Sequence, residues 1–320
     1  MSYAYSLHEQ AMLLLKHPKY NEWASFVEHH PHGSPFQHPD CHALFSSYGK
    51  LPHKALLHFD QEDHIDGIIT AYPCSFFPQW PAIPHALIGI NAPLVDPHCT
   101  PLQAQTILYQ LHSALRKSKN RQTPLIEVRE MNGKSGSPYR TGSTKTRLYL
   151  NLVKEITSPE TILQGSSPTL KREIQRIRRS PFTTEEAVKE DLVPLLHLFK
   201  RLYRKIRKPM IAKSILRGIV DSKREQYSFR LIVTKREGRI CGGALLGFCK
   251  ETCYEWYIVS DRTIKDSGVA TTWGAMEYAQ QRGYKQFDFM GIGREGIPYG
   301  VRRFKLKFGG TITTYHRYWL

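Results

Sequence analysis

Lys305 lies in the run Gly300-Val301-Arg302-Arg303-Phe304-Lys305-Leu306-Lys307-Phe308-Gly309-Gly310. Aminolysis of an activated acyl ester asks three things of a protein: a positioned amine, a way for that amine to lose its proton, and positive charge facing the tetrahedral oxyanion. An ammonium on a loop bounded by Gly300 and Gly309-Gly310 can reach a reacting carbonyl or a donor phosphate. Phe304 beside it can stack on an unpaired base. Arg303 in the same basic loop and Arg204 on a helix upstream are the candidate contacts to an anionic substrate. The plainer reading of the same spacing makes Phe304 and Phe308 a core stripe at i,i+4 and leaves Lys305 and Lys307 solvated.

Other clusters carry less chemistry. His29-His30-Pro31-His32 has the residue types of a metal tract, but Pro31 breaks helical pairing and no carboxylate stands among the imidazoles. Cys249 and Cys253 point to one face of a strand-like stretch, which suits packing as well as metal, and the usual four-ligand zinc pattern is not completed nearby. No metal is expected. The six cysteines include no C-x-x-C, and a chain of 320 residues is not a small disulfide scaffold. They read as free thiols in a reducing, cytoplasmic setting.

These groups need a framework. The length suggests two domains. Apolar residues at 41% and aromatics at 11% exclude disorder, collagen and coiled coil for the bulk of the chain. No apolar run approaches the ~18 residues of a membrane span, and the start, without a basic n-region, is not expected to be a signal peptide. Charge divides the chain. Residues 1–155 hold 14 Lys+Arg and 12 Asp+Glu, whereas 156–320 hold 31 and 16. The segment 171–239 alone reaches +12. Histidine runs the other way, with 13 of 15 before residue 113. Two units are implied, one of them facing an anionic ligand.

Periodicity supplies the elements. Lys54–Asp60 and Ile65–Tyr72 read as strands about a polar turn, followed by a strand over Ala86–Ile90, a helix over Pro101–Lys119, and strands over Leu125–Val128 and Leu148–Val153. Asn132–Ser143, rich in Gly, Ser and Pro, reads as a mobile loop. Ser166-Ser167-Pro168 starts a basic amphipathic helix with Leu170, Ile174 and Ile177 on one face, and a second runs from Asp191 to Lys208, ended by Pro209. Strands over Phe229–Thr234, Ile240–Cys249 and Thr252–Val259 follow, with Gly242-Gly243 marking a bulge or close approach. A helix over Gly268–Arg282, a short strand over Lys285–Met290, the basic loop Ile297–Gly310 and a strand over Thr311–Leu320 complete the chain.

The order of elements after residue 156 resembles the GNAT acyltransferase arrangement, in which the turn into the long helix binds the cofactor's pyrophosphate on backbone N–H groups. That turn normally reads Arg/Gln-x-x-Gly-x-Gly/Ala. Here it reads Lys265-Asp266-Ser267-Gly268-Val269-Ala270, and acidic Asp266 is a poor cradle for an anion, which makes coenzyme A the less favoured donor. The segment Gly283-Tyr284-Lys285-Gln286-Phe287-Asp288-Phe289-Met290-Gly291, followed by Phe304-Lys305-Leu306-Lys307-Phe308-Gly309-Gly310, resembles the FemAB family, whose strand reads G-x-x-x-(F/Y)-D-F-x-G and whose loop reads F-K-x-x-F-G-G/A. Ser34-Pro35-Phe36-Gln37-His38-Pro39 is similar to that family's F-Q-S-P motif, and Leu170–Arg179 to its R-x-x-I-R-x-A helix.

The resemblance implies an α+β fold of tandem GNAT-like domains, each a mixed sheet flanked by helices. The first would span 1–155 and be completed by strand 311–320, and the second would span 156–310. It further implies transfer of an aminoacyl group from aminoacyl-tRNA to an amine on a peptidoglycan precursor, without coenzyme A or metal. Arg207 matches the family's basic residue that contacts a sugar-nucleotide diphosphate, a role suited to a bidentate guanidinium. Equally, it suits the C-terminal end of a helix. Asp288, at the F-D-F position, is expected to be buried and paired. The family's acceptor-side Trp and Lys are replaced near Cys41 and Phe45, and its Gly-Pro by Ala92-Pro93. Two alternatives stand beside the aminoacyltransferase: an acetyl-CoA-dependent N-acetyltransferase and a non-catalytic RNA-binding protein using the basic helices.

Overall fold

The computed structural model describes residues 19–49, 51–75, 84–131, 146–222 and 227–320. The loop expected over Asn132–Ser143 and the leader question at the start of the chain lie outside the described residues. The chain divides into two compact units. The first comprises Met1–Leu148, Pro209–Gly218 and Tyr315–Leu320, and the second Tyr149–Lys208 and Ile219–Thr314.

In the first unit, helices α1 (Tyr20–His29) and α2 (Pro39–Tyr48) precede strands β1 (Lys54–Phe59), β2 (Ile65–Cys74), β3 (Ala86–Ile90) and the two-residue β4 (Leu94–Val95). Helix α3 (Pro101–Lys117) starts on a reciprocal cap between Thr100 and Gln103, with Pro101 in its first turn. Strand β5 (Leu125–Glu130) then lies parallel to β3, and β1, β2 and β3 run antiparallel in sequence. Ile107, Leu111 and Leu115 of α3 pack on Ile69, Leu87, Ile126 and Val128 of the sheet. The Ser34–Pro39 motif serves this sheet. Gln37, fully buried, donates to the carbonyls of Ile90 (3.1 Å) and Asn91, where β3 ends.

In the second unit, β6 (Arg147–Glu155) leads to the short α4 (Pro159–Leu163), α5 (Pro168–Arg178), β7 (Phe182–Glu186), α6 (Leu192–Lys205) and α7 (Lys213–Asp221), the last of which straddles the division. The meander β8 (Ser228–Arg236), β9 (Arg239–Cys249) and β10 (Thr252–Ser260) is followed by α8 (Ser267–Gln281), β11 (Gln286–Asp288), α9 (Gly300–Leu306) and β12 (Thr311–Trp319), which passes into the first unit at Tyr315. The sheet runs β7-β8-β9-β10-β11-β6, and only β10–β11 are parallel, joined by the crossover through α8. Trp273, Met276 and Ala279 of α8 and Leu170, Ile174 and Ile177 of α5 meet Phe248, Phe287 and Phe289 in one core. The expected close approach at Gly242 is real: a Cβ there would lie 2.0 Å from the Thr271 hydroxyl, so α8 can seat only on a glycine.

The sequence reading and the structure part company in three places. The segment read as a basic loop over Ile297–Gly310 contains helix α9, so Lys305 is a helical residue rather than a loop residue. Helix α6 ends at Lys205 rather than Lys208, and Arg207 takes a left-handed φ of 50° beyond its end. Strand β7, rich in Thr and Glu, and helix α7 are additions. The final strand pairs antiparallel with β5, His316–Trp319 against Glu127–Glu130, within the first unit.

Candidate functional site

The site forms where two parallel strands part. β10 and β11 pair over three positions only, Thr252 with Gln286, Cys253 with Phe287 and Tyr254 with Asp288. At the next residue β10 bulges against β9: Glu255 faces Leu246 and Tyr257 faces Leu245, which makes Trp256 the extra residue. The bulge points the Glu255 carboxyl into the interior, its side chain 1% exposed.

Lys305 fills the opening from α9. Its Nζ donates to the carbonyl of Phe289 just beyond β11, lies 3.1 Å from Glu255 Oε2, and sits 5.4 Å from the centroid of the Phe289 ring. The expectation of a solvated or loop-borne ammonium is therefore corrected: Lys305 is buried. Helical geometry is the cause, since i,i+3 and i,i+4 neighbours share a face and Phe308 anchors that face in the core. Lys307, two residues on, points elsewhere and meets both oxygens of Glu173, at 2.7 and 2.9 Å.

Asp288 lies beside the pair. Asn151 Nδ2 donates to both its oxygens (2.9 and 3.0 Å), and the Met290 N–H adds a third bond at 2.7 Å. Asn151 Oδ1 in turn accepts the Gly291 N–H at 2.6 Å. One side chain thus fixes the turn after β11, in which Met290 (φ 57°) and Gly291 (φ 104°) are both left-handed. Buried and paired as the resemblance suggested, Asp288 holds backbone.

The electrostatics follow from burial. Desolvation pushes the Glu255 carboxyl above its usual range. Lys305 opposes that and the nearby Asp288 charge adds to it. Asp288 is pushed up by the same loss of water, against its bonds from Met290 and Asn151 and the charge of Lys305. The Lys305 ammonium meets the Glu255 carboxyl at 3.1 Å, and no other hydrogen bond reaches its oxygens among the described residues. Its ion pair with Lys305 leaves lone pairs free, and a carboxylate of raised basicity with free lone pairs is suited to take a proton from an amine. The ammonium beside it is suited to face an oxyanion.

The turn into α8 carries a carboxylate that makes no cap bond to the helix N–H groups. Asp266, left-handed at φ 66°, directs its carboxylate to Arg176 in a bidentate pair, Nε–Oδ2 2.6 Å and Nη2–Oδ1 2.7 Å. The Arg176 bonds hold Asp266 below the ordinary carboxylate range. Asp261, at the start of the same turn, accepts from the Thr263 amide and hydroxyl and from Arg201 at 2.9 Å.

The remaining candidates scatter. Phe304 is half-buried with its ring 5.5 Å from that of Phe308, edge to face, as a core residue would be. Arg204, Arg207 and Arg303 are exposed, and among the described residues no ion pair or hydrogen bond links them to the Lys305–Glu255 pair. In the first unit Cys41 and Phe45 are buried, Phe45 with its ring 4.5 Å from that of Tyr72, and burial pushes the Cys41 thiol up to about 12. The histidine tract is engaged locally. His29 Nδ1 bonds the Ser25 carbonyl at 2.8 Å, and His30 bonds the Val95 carbonyl at 2.8 Å and accepts the His32 N–H. Sequence reasoning missed Glu255 and Asn151. A lone carboxylate inside the apolar strand Thr252–Val259 was the available signal for Glu255, and nothing local marks Asn151.

Residues 167–306 match the protein family described as "Acetyltransferase (GNAT) domain". No curated protein sequence matches the chain. Among solved structures, a crystal structure of FemX superposes with a TM-score of 0.66 at 15% identity, covering 94% of this chain and 96% of that one. The structure of L-PGS from Bacillus licheniformis gives 0.58 at 11% identity, with 93% and 90% covered. A tandem GNAT protein from the clavulanic acid biosynthesis pathway, without AcCoA, gives 0.54 at 10% identity, with 98% and 94% covered. The fold is therefore α+β and GNAT-like, similar over the whole chain to tandem GNAT proteins, and residues 167–306 are similar to a GNAT acetyltransferase domain.

Proposed function

We propose that the protein transfers an aminoacyl group from an aminoacyl-tRNA to an amine, in the manner of FemAB-like enzymes, with a cell-wall precursor peptide as the acceptor class. The observation that carries the choice of donor is the Arg176–Asp266 pair. In a coenzyme A-dependent enzyme the turn into the long helix offers backbone N–H groups to a pyrophosphate. Here a carboxylate stands in that turn and engages the Arg176 guanidinium through two short bonds, so the pair offers a second anion no net positive charge. A tRNA donor does not need that turn, and the +12 segment supplies phosphate contacts elsewhere. In this reading Glu255 accepts the proton of the attacking amine, Lys305 faces the oxyanion, and Arg204, Arg207 and Arg303 meet substrate phosphates.

The likeness of residues 167–306 to an acetyltransferase domain favours the second reading, an acetyl-CoA-dependent N-acetyltransferase. One experiment separates the two. The protein is incubated with radiolabelled total aminoacyl-tRNA or with acetyl-CoA, in the presence of amine-bearing precursor peptides. Amide product from the tRNA arm without thiol release from coenzyme A supports the proposal, and thiol release without tRNA sinks it.

A further inference from the structure

Beyond the second unit's chemistry, we infer that the first unit binds a carboxylate ligand on a fork made by Arg129 of β5 and Arg317 of β12. The antiparallel ladder sets these two arginines directly opposite each other, and sets Trp319 opposite Glu127. Side chains alternate along a strand, so all four stand on one face of the pair. It is the face away from Val128 and Tyr318, which pack in the core with α3. The contacts agree with the register. Arg129 Nε donates to Glu127 Oε1 at 2.8 Å, and Arg317 Nη1 reaches the same oxygen at 3.4 Å. The Tyr315 hydroxyl, on the same face, accepts from Arg317 Nε at 3.0 Å and from its Nη2. Tyr315 is buried, so this bond holds the Arg317 guanidinium from a fixed base.

Charge and unused donors point to an anion. Like charges directly opposite each other destabilise a ladder. Here the two side chains are only 25% and 19% exposed, where water screens them less than at an open surface. Glu127 answers one guanidinium and leaves the group at +1. A purely structural pair would need one arginine for that glutamate. Among the described residues, Glu127 alone accepts from Arg129, and only from its Nε. The outer nitrogens of Arg129, Nη1 and Nη2, therefore still have donors to give. A carboxylate meeting them takes charge-assisted N–H bonds and brings the group to neutrality, whereas a phosphate dianion would overshoot it. Arg147, stacked on the Trp319 ring at 5.3 Å, is exposed and keeps its charge in water. The ligand class is thus a monoanion, such as the carboxylate end of an amino acid or a short peptide. This inference is independent of the acyl donor and of the Lys305–Glu255 pair.

The test is an NMR titration of the full chain carrying isotope-labelled arginine. It follows the Nε–H signals of Arg129 and Arg317, each assigned by its absence from Arg129→Gln or Arg317→Gln. The probes are acetyl-alanyl-alanine, its C-terminal amide and inorganic phosphate, each raised to ~20 mM, enough to saturate a site with a Kd of ~1 mM. Both signals should shift saturably with the free carboxylate and stay in place with the amide, and phosphate should need a higher concentration. Arg129→Gln should weaken binding of the peptide carboxylate by about tenfold, read at Arg317, as charge-assisted bonds are lost. That variant should melt close to wild type, because Arg317 still meets Glu127 and the opposed charge is gone. Four results overturn the inference: signals of the folded wild-type chain unmoved by the carboxylate, equal shifts with the amide, saturation by phosphate at a lower concentration than by the peptide, or unchanged affinity in folded Arg129→Gln.

Discussion

Replacing Lys305 with Met removes the cation paired with a carboxyl whose side chain is 1% exposed. It also takes the donor from the Phe289 carbonyl at the point where β10 and β11 separate. Breaking a buried ion pair by deleting one partner destabilises by about 3–5 kcal/mol, and an orphaned carbonyl adds to that. Protonation limits the total, because Glu255 is already shifted upward and can go neutral. A net loss of about 4 kcal/mol is expected, and at ~2–4 °C per kcal/mol for a domain of this size it lowers Tm by about 10 °C. Lys305→Met with Glu255→Gln should recover most of that, since neither partner is then left charged and alone. The assay is a melting curve for each single and double variant, with single-turnover transfer measured well below the lowest Tm. Turnover of folded Lys305→Met should fall by about 10²–10³, the usual loss for one oxyanion partner. A Tm within 2 °C or so of wild type, set against the shift expected for such a pair, would refute the buried pair. Full turnover in the folded variant would refute the chemical role and leave Lys305 as a strand-separating wedge.

Three further outcomes follow from the geometry. Asp266→Ala should tighten coenzyme A binding by about tenfold in a titration, because it frees Arg176 and removes the carboxylate from the helix turn; unchanged affinity would mean that the pair does not block the turn. Removing 311–320 should speed amide exchange in Glu127–Glu130, which pair with β12, while β1 keeps its protection; equal exchange would reject the observed register. Glu130, bonded to the Tyr318 hydroxyl at 2.8 Å with His112 on the far side at 2.9 Å, is raised by burial from 4.5 to about 7. Its folded state holds the proton more tightly, so its contribution is complete below pH 4.5 and lost as pH rises through about 7, roughly 3 kcal/mol over that window. Glu130→Gln should flatten the slope of stability between pH 5 and 7.5, and an unaltered slope would place the titration elsewhere.

Sequence alone determined what depends on local periodicity and composition. Alternation marked β1, β2 and the β8–β10 meander. The 3.6-residue period and Pro-bearing starts marked α3 and α5, and the spacing of Phe287, Asp288 and Phe289 before Phe304-Lys305 marked the stretch where the site lies. The charge asymmetry and the acidic Asp266 are likewise written in the chain. The tertiary structure decided everything that rests on long-range pairing. Lys305 reads as a solvated loop residue because its partners are Glu255, fifty positions upstream, and the Phe289 carbonyl; no local pattern announces an ammonium that only a helical turn and a bulge in another strand can enclose. Strand β7 was hidden because Phe182-Thr183-Thr184-Glu185-Glu186 lacks an apolar alternation, its pairing with β8 being set by the neighbouring strand. Asn151 is an ordinary polar residue in β6 until the turn after β11 arrives to be held. Composition and period thus fixed which segments fold and how they are charged, while burial, which sets the basicity of Glu255 and the role of Lys305, exists only once the strands have parted around them.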